Sequence, residues 1–237
     1  MISEGARVAV IDDDADYALS TAGIVEEACL IPTIISEAEA GFQCPRQLLD
    51  FVQASDCAAV VCDHRLKPKG LASFSGAEFV ANAFDNRLPA VLLSTFAAVD
   101  SDTTIKLHRA RIPSLIARED LDPGKIMDGL QRSESELAGI VTPERRPWRT
   151  LVRIEDVSKQ VEAPAADAIV HTWKPLEAVR FPLEVIEEKS IRQYLMNNDS
   201  WPVRLFAEVN VGCDETNELF FRKFEWAPEP NIQDLTS

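Results

Sequence analysis

No apolar run in the sequence approaches the ~18–20 residues of a membrane span. The amino terminus, MISEGARVAV, lacks the basic region, long apolar run and small-residue cleavage site of a secretory signal. Positive charge is also short: 24 Lys+Arg stand against 39 Asp+Glu, a formal charge of −15. Residues 1–133 carry 12 basic and 20 acidic side chains, and the remainder 12 and 19. Neither half therefore has the excess of Lys and Arg that a broad, sequence-independent nucleic-acid surface uses to displace counterions from phosphates. The five cysteines (Cys29, Cys44, Cys57, Cys62, Cys213) are odd in number and lack the paired spacing of a zinc site or disulfide framework. These absences lead us to expect a cytoplasmic chain with no membrane span and no nucleic-acid partner. Cys57 and Cys62 flank a short apolar run and read as small buried residues.

What is present is globular. With 237 residues and a hydrophobic fraction of 46%, the chain is long enough for two domains, each with its own core. Through about residue 132, short β-branched runs alternate with longer amphipathic segments, the pattern of a parallel sheet with crossover helices. Strands are expected at Val8–Ile11, Thr33–Ser36, Ala58–Cys62, Ala90–Leu93 and Ser114–Ala117. Helices are expected at Asp16–Cys29, Arg46–Gln53, Gly76–Asn82, Asp100–His108 and from Pro123 toward Leu137. The segment GIVTPERRPW, residues 139–148, reads as a linker between a domain at 1–138 and another at 149–237. Its Arg145 and Arg146, with Arg149, fit an exposed basic turn or a dock onto an acidic face of the first domain.

Chemistry concentrates at the strand ends. Strand one runs directly into Asp12, Asp13 and Asp14, strand three into Asp63, strand four into Ser94 and strand five into Arg118. Parallel α/β sheets build their sites at the carboxyl edge, so these residues are expected to converge although about fifty residues separate the first acids from Asp63. Carboxylates to hold a hard cation, one carboxylate as nucleophile, and a hydroxyl and a cation to meet phosphoryl oxygens make a magnesium-assisted phosphoryl-transfer site. Asp14 reads as a helix N-cap, and His64 as a solvent-facing loop residue.

The segments RVAVIDDD (7–14), AVVCDHRL (59–66), VLLS (91–94) and, less well, LIAR (115–118) resemble the response regulator receiver domain of two-component signalling, over about residues 5–132. The spacings agree: 31 residues separate Asp63 from Ser94, and 24 separate Ser94 from Arg118. The resemblance implies a five-stranded, doubly wound, flavodoxin-like α/β domain. It implies that Asp63 accepts a phosphoryl group from a histidine kinase or phosphotransfer protein. It implies that Asp12, Asp13 and Asp63, with the backbone carbonyl of Arg65, bind Mg2+, and that Ser94 and Arg118 contact the phosphoryl group. Homodimerisation through this domain is a habit of the family. Three departures stand out. Arg118–Glu119 replaces the family's Lys–Pro pair, Leu115 replaces an aromatic residue, and Lys67–Ser75 makes a longer loop before Gly76. A planar guanidinium is not equivalent to a lysine point charge.

The second half reads as a smaller β-rich domain. Strand patterns occur at Leu151–Val157, Ala168–Trp173, Val203–Val211 and Leu219–Trp226, with one clear helix at Glu187–Met196. The last two strands form an expected hairpin across Gly212–Asn217. The helix balances its charges, unlike a DNA-recognition helix. Phe220 and Phe221 are consecutive and point to opposite faces of a strand, so unless both faces are covered one is exposed and offers a protein-docking edge. The expected function is therefore phosphoacceptor signalling through a protein-binding output, without turnover catalysis. The alternatives are a phosphorylation-independent adaptor, and a receiver-gated enzyme with His171 in its second domain.

Overall fold

The computed structural model describes residues 2–37, 41–95, 104–160 and 163–228. It divides into two compact units, residues 1–142 and 143–237.

In the first unit, β1 (Arg7–Ile11), β2 (Ile31–Ile35), β3 (Ala59–Asp63), β4 (Ala90–Ser94) and β5 (Ser114–Ala117) form a parallel sheet of order β2-β1-β3-β4-β5. This is the flavodoxin-like order, and its direction reverses beside β1 and β3. Both faces are covered. Ala9 and Ile11, Val60 and Cys62, and Ala90 and Leu92 enter one core; Val8 and Val10, Ala59 and Val61, and Val91 and Leu93 enter the other. That is the two-residue side-chain period of a strand. α2 (Pro45–Ala54) and α3 (Gly76–Asp85) fill the first core with Leu48, Leu49, Val52, Phe79 and Val80. α1 (Ala15–Glu27) and α4 (Pro123–Leu137) fill the second with Ala22, Val25, Ile126 and Leu130.

The helix starts follow local chemistry. Asp14 caps α1 by accepting from the N–H groups of Asp16 and Tyr17, Ser75 caps α3, and Asp122 caps α4 ahead of Pro123. Of the helix expected at Asp100–His108, residues 100–103 lie outside the described residues. Its described part is a short turn, Lys106–His108, continuing to Arg111.

The second unit is an antiparallel sheet of order β10-β9-β6-β7-β8, built from β6 (Trp148–Ser158), β7 (Ala165–Val170), β8 (Ala178–Pro182), β9 (Val203–Val209) and β10 (Phe221–Trp226). β9 and β10 make the expected hairpin. Val152, Ile154, Ala168, Val179, Phe181, Leu205 and Val209 form the core with Ile191 and Leu195 of α5 (Lys189–Asn197). Several side chains outside that core are charged and ion-paired: Arg180 with Asp167, Arg222 with Glu208, and Arg149 with Glu225.

The structure differs from four sequence expectations in this half. Trp148 already belongs to β6, and Arg145, in the expected linker, is buried with its guanidinium over the Phe220 ring at 4.8 Å. Asn210 Nδ2 donates to the Glu144 carbonyl, which ties the same stretch to this unit. Phe220 and Phe221 are both buried, because Arg145 covers one and the Phe181–Phe224 cluster takes the other, so neither offers an exposed docking edge. β8, with only Val179 and Phe181 buried in five residues, carried too little pattern to be foreseen. His171 lies in the turn after β7, not within a strand.

Candidate functional site

β1 and β3 are hydrogen-bonded neighbours with Ile11 opposite Cys62, so Asp12 and Asp63 leave the same sheet edge side by side. Carboxylate oxygens of Asp12, Asp13 and Asp63 lie within 4.8 Å of one another; Asp12 and Asp63 are buried and Asp13 half-buried. Three hard oxygen donors in such proximity fit a divalent cation such as Mg2+. Ser94 ends β4, one residue beyond the Leu93 that pairs with Asp63, and is buried. Arg65 is placed by its backbone N–H, which donates to Asp63 Oδ2 at 2.7 Å.

Arg118, just past β5, reaches across the edge. Its Nη2 donates to Asp12 Oδ2 and to Asp63 Oδ1, each at 2.5 Å. Nη1 donates weakly to Thr21 Oγ1 at 3.4 Å, and the guanidinium sits over the Tyr17 ring, 4.7 Å from its centroid. Burial pushes the Asp12 carboxyl above its ordinary range; the Asp63 charge adds to this, while the Asp14 N–H and Arg118 oppose it. Burial works against the Arg118 charge, but Asp63 and Asp12 outweigh it and raise its pKa. Burial, with the Asp63 and Asp12 charges, drives the Cys62 thiol well up, so the only cysteine within β3 stays protonated.

The long loop after β3 is ordered by pairing. Phe42 N–H donates to Leu71 O at 2.8 Å, Ser73 N–H to Phe42 O at 2.9 Å, and Ser73 Oγ to Gln43 O at 2.8 Å. The loop then presents Lys69 to the acids: its N–H donates to Asp13 Oδ2 at 2.7 Å and its ammonium pairs with Asp14. The Lys69 hydrogen bond leads the contacts that hold the Asp14 carboxyl below its usual range.

His64 is buried, against the expectation of a solvent-facing residue, and Thr104 Oγ1 lies 2.9 Å from its Nε2. Sequence reasoning also missed Tyr17, Thr21 and Lys69. Tyr17 and Thr21 are four residues apart on α1, a same-face spacing that could have flagged them as partners of the fifth strand end.

No protein-family model matches the chain, and no curated protein matches it. Among solved structures, the matches are response regulator receiver domains that cover the N-terminal part, about 56% of the chain; the C-terminal part has no named match. NtrX from Brucella abortus, solved in complex with ADP, is 16% identical, with 56% of this chain and 28% of that chain covered and a TM-score of 0.42. A response regulator receiver domain protein from Clostridium thermocellum is 11% identical, with 57% and 99% covered and a TM-score of 0.42. The chemotaxis response regulator CheY4 of Vibrio cholerae is 16% identical, with 54% and 98% covered and a TM-score of 0.39. The chain thus spans little more than a quarter of the NtrX chain.

Proposed function

We propose that this chain is a cytoplasmic, response-regulator-like signalling protein in which Asp63 accepts a phosphoryl group from a histidine kinase or phosphotransfer protein, with Mg2+, and the second unit acts by binding another protein. The observation that carries this reading is the convergence of Asp12, Asp13 and Asp63 within 4.8 Å at the carboxyl edge of a parallel sheet. In the reaction an Asp63 carboxylate oxygen attacks the phosphorus of a phosphohistidine. The P–N bond breaks with its electron pair on the donor imidazole, and an acyl phosphate forms on Asp63. Asp12, Asp13 and Asp63 would hold the Mg2+, which when bound would supply charge neutralisation for the phosphoryl oxygens. The Arg118 guanidinium lies 2.5 Å from Asp63 Oδ1 and stays charged throughout, and the Ser94 hydroxyl belongs to the same edge. In this reading the chain is a phosphoacceptor without a turnover activity of its own. Support for a protein-binding rather than DNA-reading output comes from the antiparallel sheet accompanied by one α-helix, nine residues long, among the described residues of this unit.

The test is intact-mass measurement after incubation with Mg2+ and acetyl phosphate. One added phosphoryl group is expected in the wild type and none in Asp63→Ala or with chelator; an unlabelled wild type beside a labelled control receiver rejects the acceptor role. A second reading, a phosphorylation-independent adaptor, is favoured by one observation: Arg118 bridges two of the three acids.

A further inference from the structure

Every carboxylate of the cluster is already bonded from within the chain. Asp12 accepts from the Asp14 N–H at 2.9 Å and from Arg118 Nη2 at 2.5 Å. Asp63 accepts from the Arg65 N–H at 2.7 Å and from the same Nη2 at 2.5 Å. Asp13 accepts from the Lys69 N–H at 2.7 Å. One nitrogen therefore stands between the two buried acids that a divalent ion would have to share. A magnesium ion and a guanidinium nitrogen compete for those oxygens twice over: they need the same lone pairs, and at such separations a doubly charged ion and the guanidinium cation repel strongly in a partly buried site.

The guanidinium is nonetheless incompletely held where it is. Its Nε–H is buried and has no hydrogen-bond partner among the described residues, and its bond to Thr21 is long. Leaving the seat thus costs it less than a fully bonded fork would pay. A face for the departing group is at hand in Tyr17, already 4.7 Å below it and largely exposed. Lysine in this position would bring one flexible ammonium; arginine brings a planar fork whose single nitrogen spans both acids.

From this geometry we infer that Arg118 is the resident cation of the acidic pocket, and that a divalent ion enters by displacing its Nη2 from Asp12 and Asp63. The exchange sets the metal affinity of the pocket. It rests on reading Asp12, Asp13 and Asp63 as the metal-binding acids of a phosphoacceptor site.

The experiment uses the full chain, with Mn2+ binding followed by the EPR signal of the free ion and Mg2+ added to protein labelled with fluorotyrosine. The sequence has two tyrosines, so Tyr17 and Tyr194 give one fluorine signal each. Arg118→Gln is expected to bind Mn2+ about tenfold tighter than the wild type, with Arg118→Lys between them. Loss of a positive charge alone would also tighten binding, so displacement is read separately. Saturating Mg2+ should move the Tyr17 signal in the wild type, leave Tyr194 unmoved as the folding control, and produce little change in Arg118→Gln. Equal Mn2+ affinities in wild type and both variants, or a Tyr17 signal unmoved at saturation, overturns the exchange. Arg118→Lys keeps the test valid where Arg118→Gln does not fold. Acetyl phosphate labelling separates the two readings. Exchange without labelling of Asp63 leaves the resident cation and removes the acceptor role; labelling with Mn2+ affinity indifferent to residue 118 does the reverse.

Discussion

At the scale of single residues, the short helical turn Lys106–His108 holds a titratable group outside the acidic pocket. His108 Nδ1 lies 3.2 Å from Arg111 Nη2, so it accepts and the ring is neutral, while Arg111 also pairs with Asp85 at 2.8 Å. Burial, followed by the Arg111 and His64 charges, lowers the His108 pKa to about 4, against a partial opposing effect of Asp85. A histidine depressed in the folded state contributes stability that is whole above its unfolded pKa near 6.5 and lost as pH falls through about 4. Allowing for its partial exposure, the loss is about 2 kcal/mol. His108→Gln should therefore show a shallower fall in stability than the wild type between pH 6.5 and 4, measured as urea midpoints of the helical signal. Parallel pH curves would show that His108 carries no such charge penalty.

At the scale of elements, α3 is brought against the end of β3 by a glycine. Gly76 N–H donates to His64 O at 2.8 Å, and a Cβ on Gly76 would fall 1.9 Å from the Asp63 carbonyl oxygen. The obstacle is backbone, so either the helix start or the end of β3 has to shift. Gly76→Ala is expected to cost about 1–3 kcal/mol and, under the proposed phosphoacceptor role, to slow phosphoryl uptake at Asp63, seen together in denaturant midpoints and intact-mass time courses. A full-rate, fully stable variant would mean the contact relaxes without touching the site. The loop 67–75 uses the same device: Gly41, at a φ of +61°, passes so near the Gly70 carbonyl that a Cβ would lie 2.5 Å from it. The Phe42–Ala72 bridge and the reach of Lys69 to Asp13 depend on that approach.

At the scale of the whole molecule, each unit has its own core, and the four tryptophans (Trp148, Trp173, Trp201, Trp226) all belong to the second. Their fluorescence is a private reporter of that unit. Phe181 is fully buried among Phe221 and Phe224, with ring centroids 4.6 and 5.8 Å away. Phe181→Ala should lower the stability of the second unit by about 3–5 kcal/mol, read as a shift of the tryptophan-detected denaturant midpoint. A shift below about 1 kcal/mol would mean that the aromatic cluster closes over the cavity.

The parallel sheet and its acidic edge were legible in the sequence because they depend on local information. Apolar runs mark strands buried on both faces, Asp14 announces a helix start, and one crossover direction carries Asp12, Asp63, Ser94 and Arg118 to one edge. The hairpin of β9 and β10 was legible from the same two-residue period. What the tertiary structure alone decided are contacts between side chains far apart in sequence. Arg118 Nη2 lies between Asp12 and Asp63, Arg145 covers Phe220, Thr104 meets His64, and the 67–75 loop lies along 41–43. Spacing along a chain determines which edge a residue reaches. Whether its charged group rests in water, on a ring or between two carboxylates depends on the packing that surrounds it.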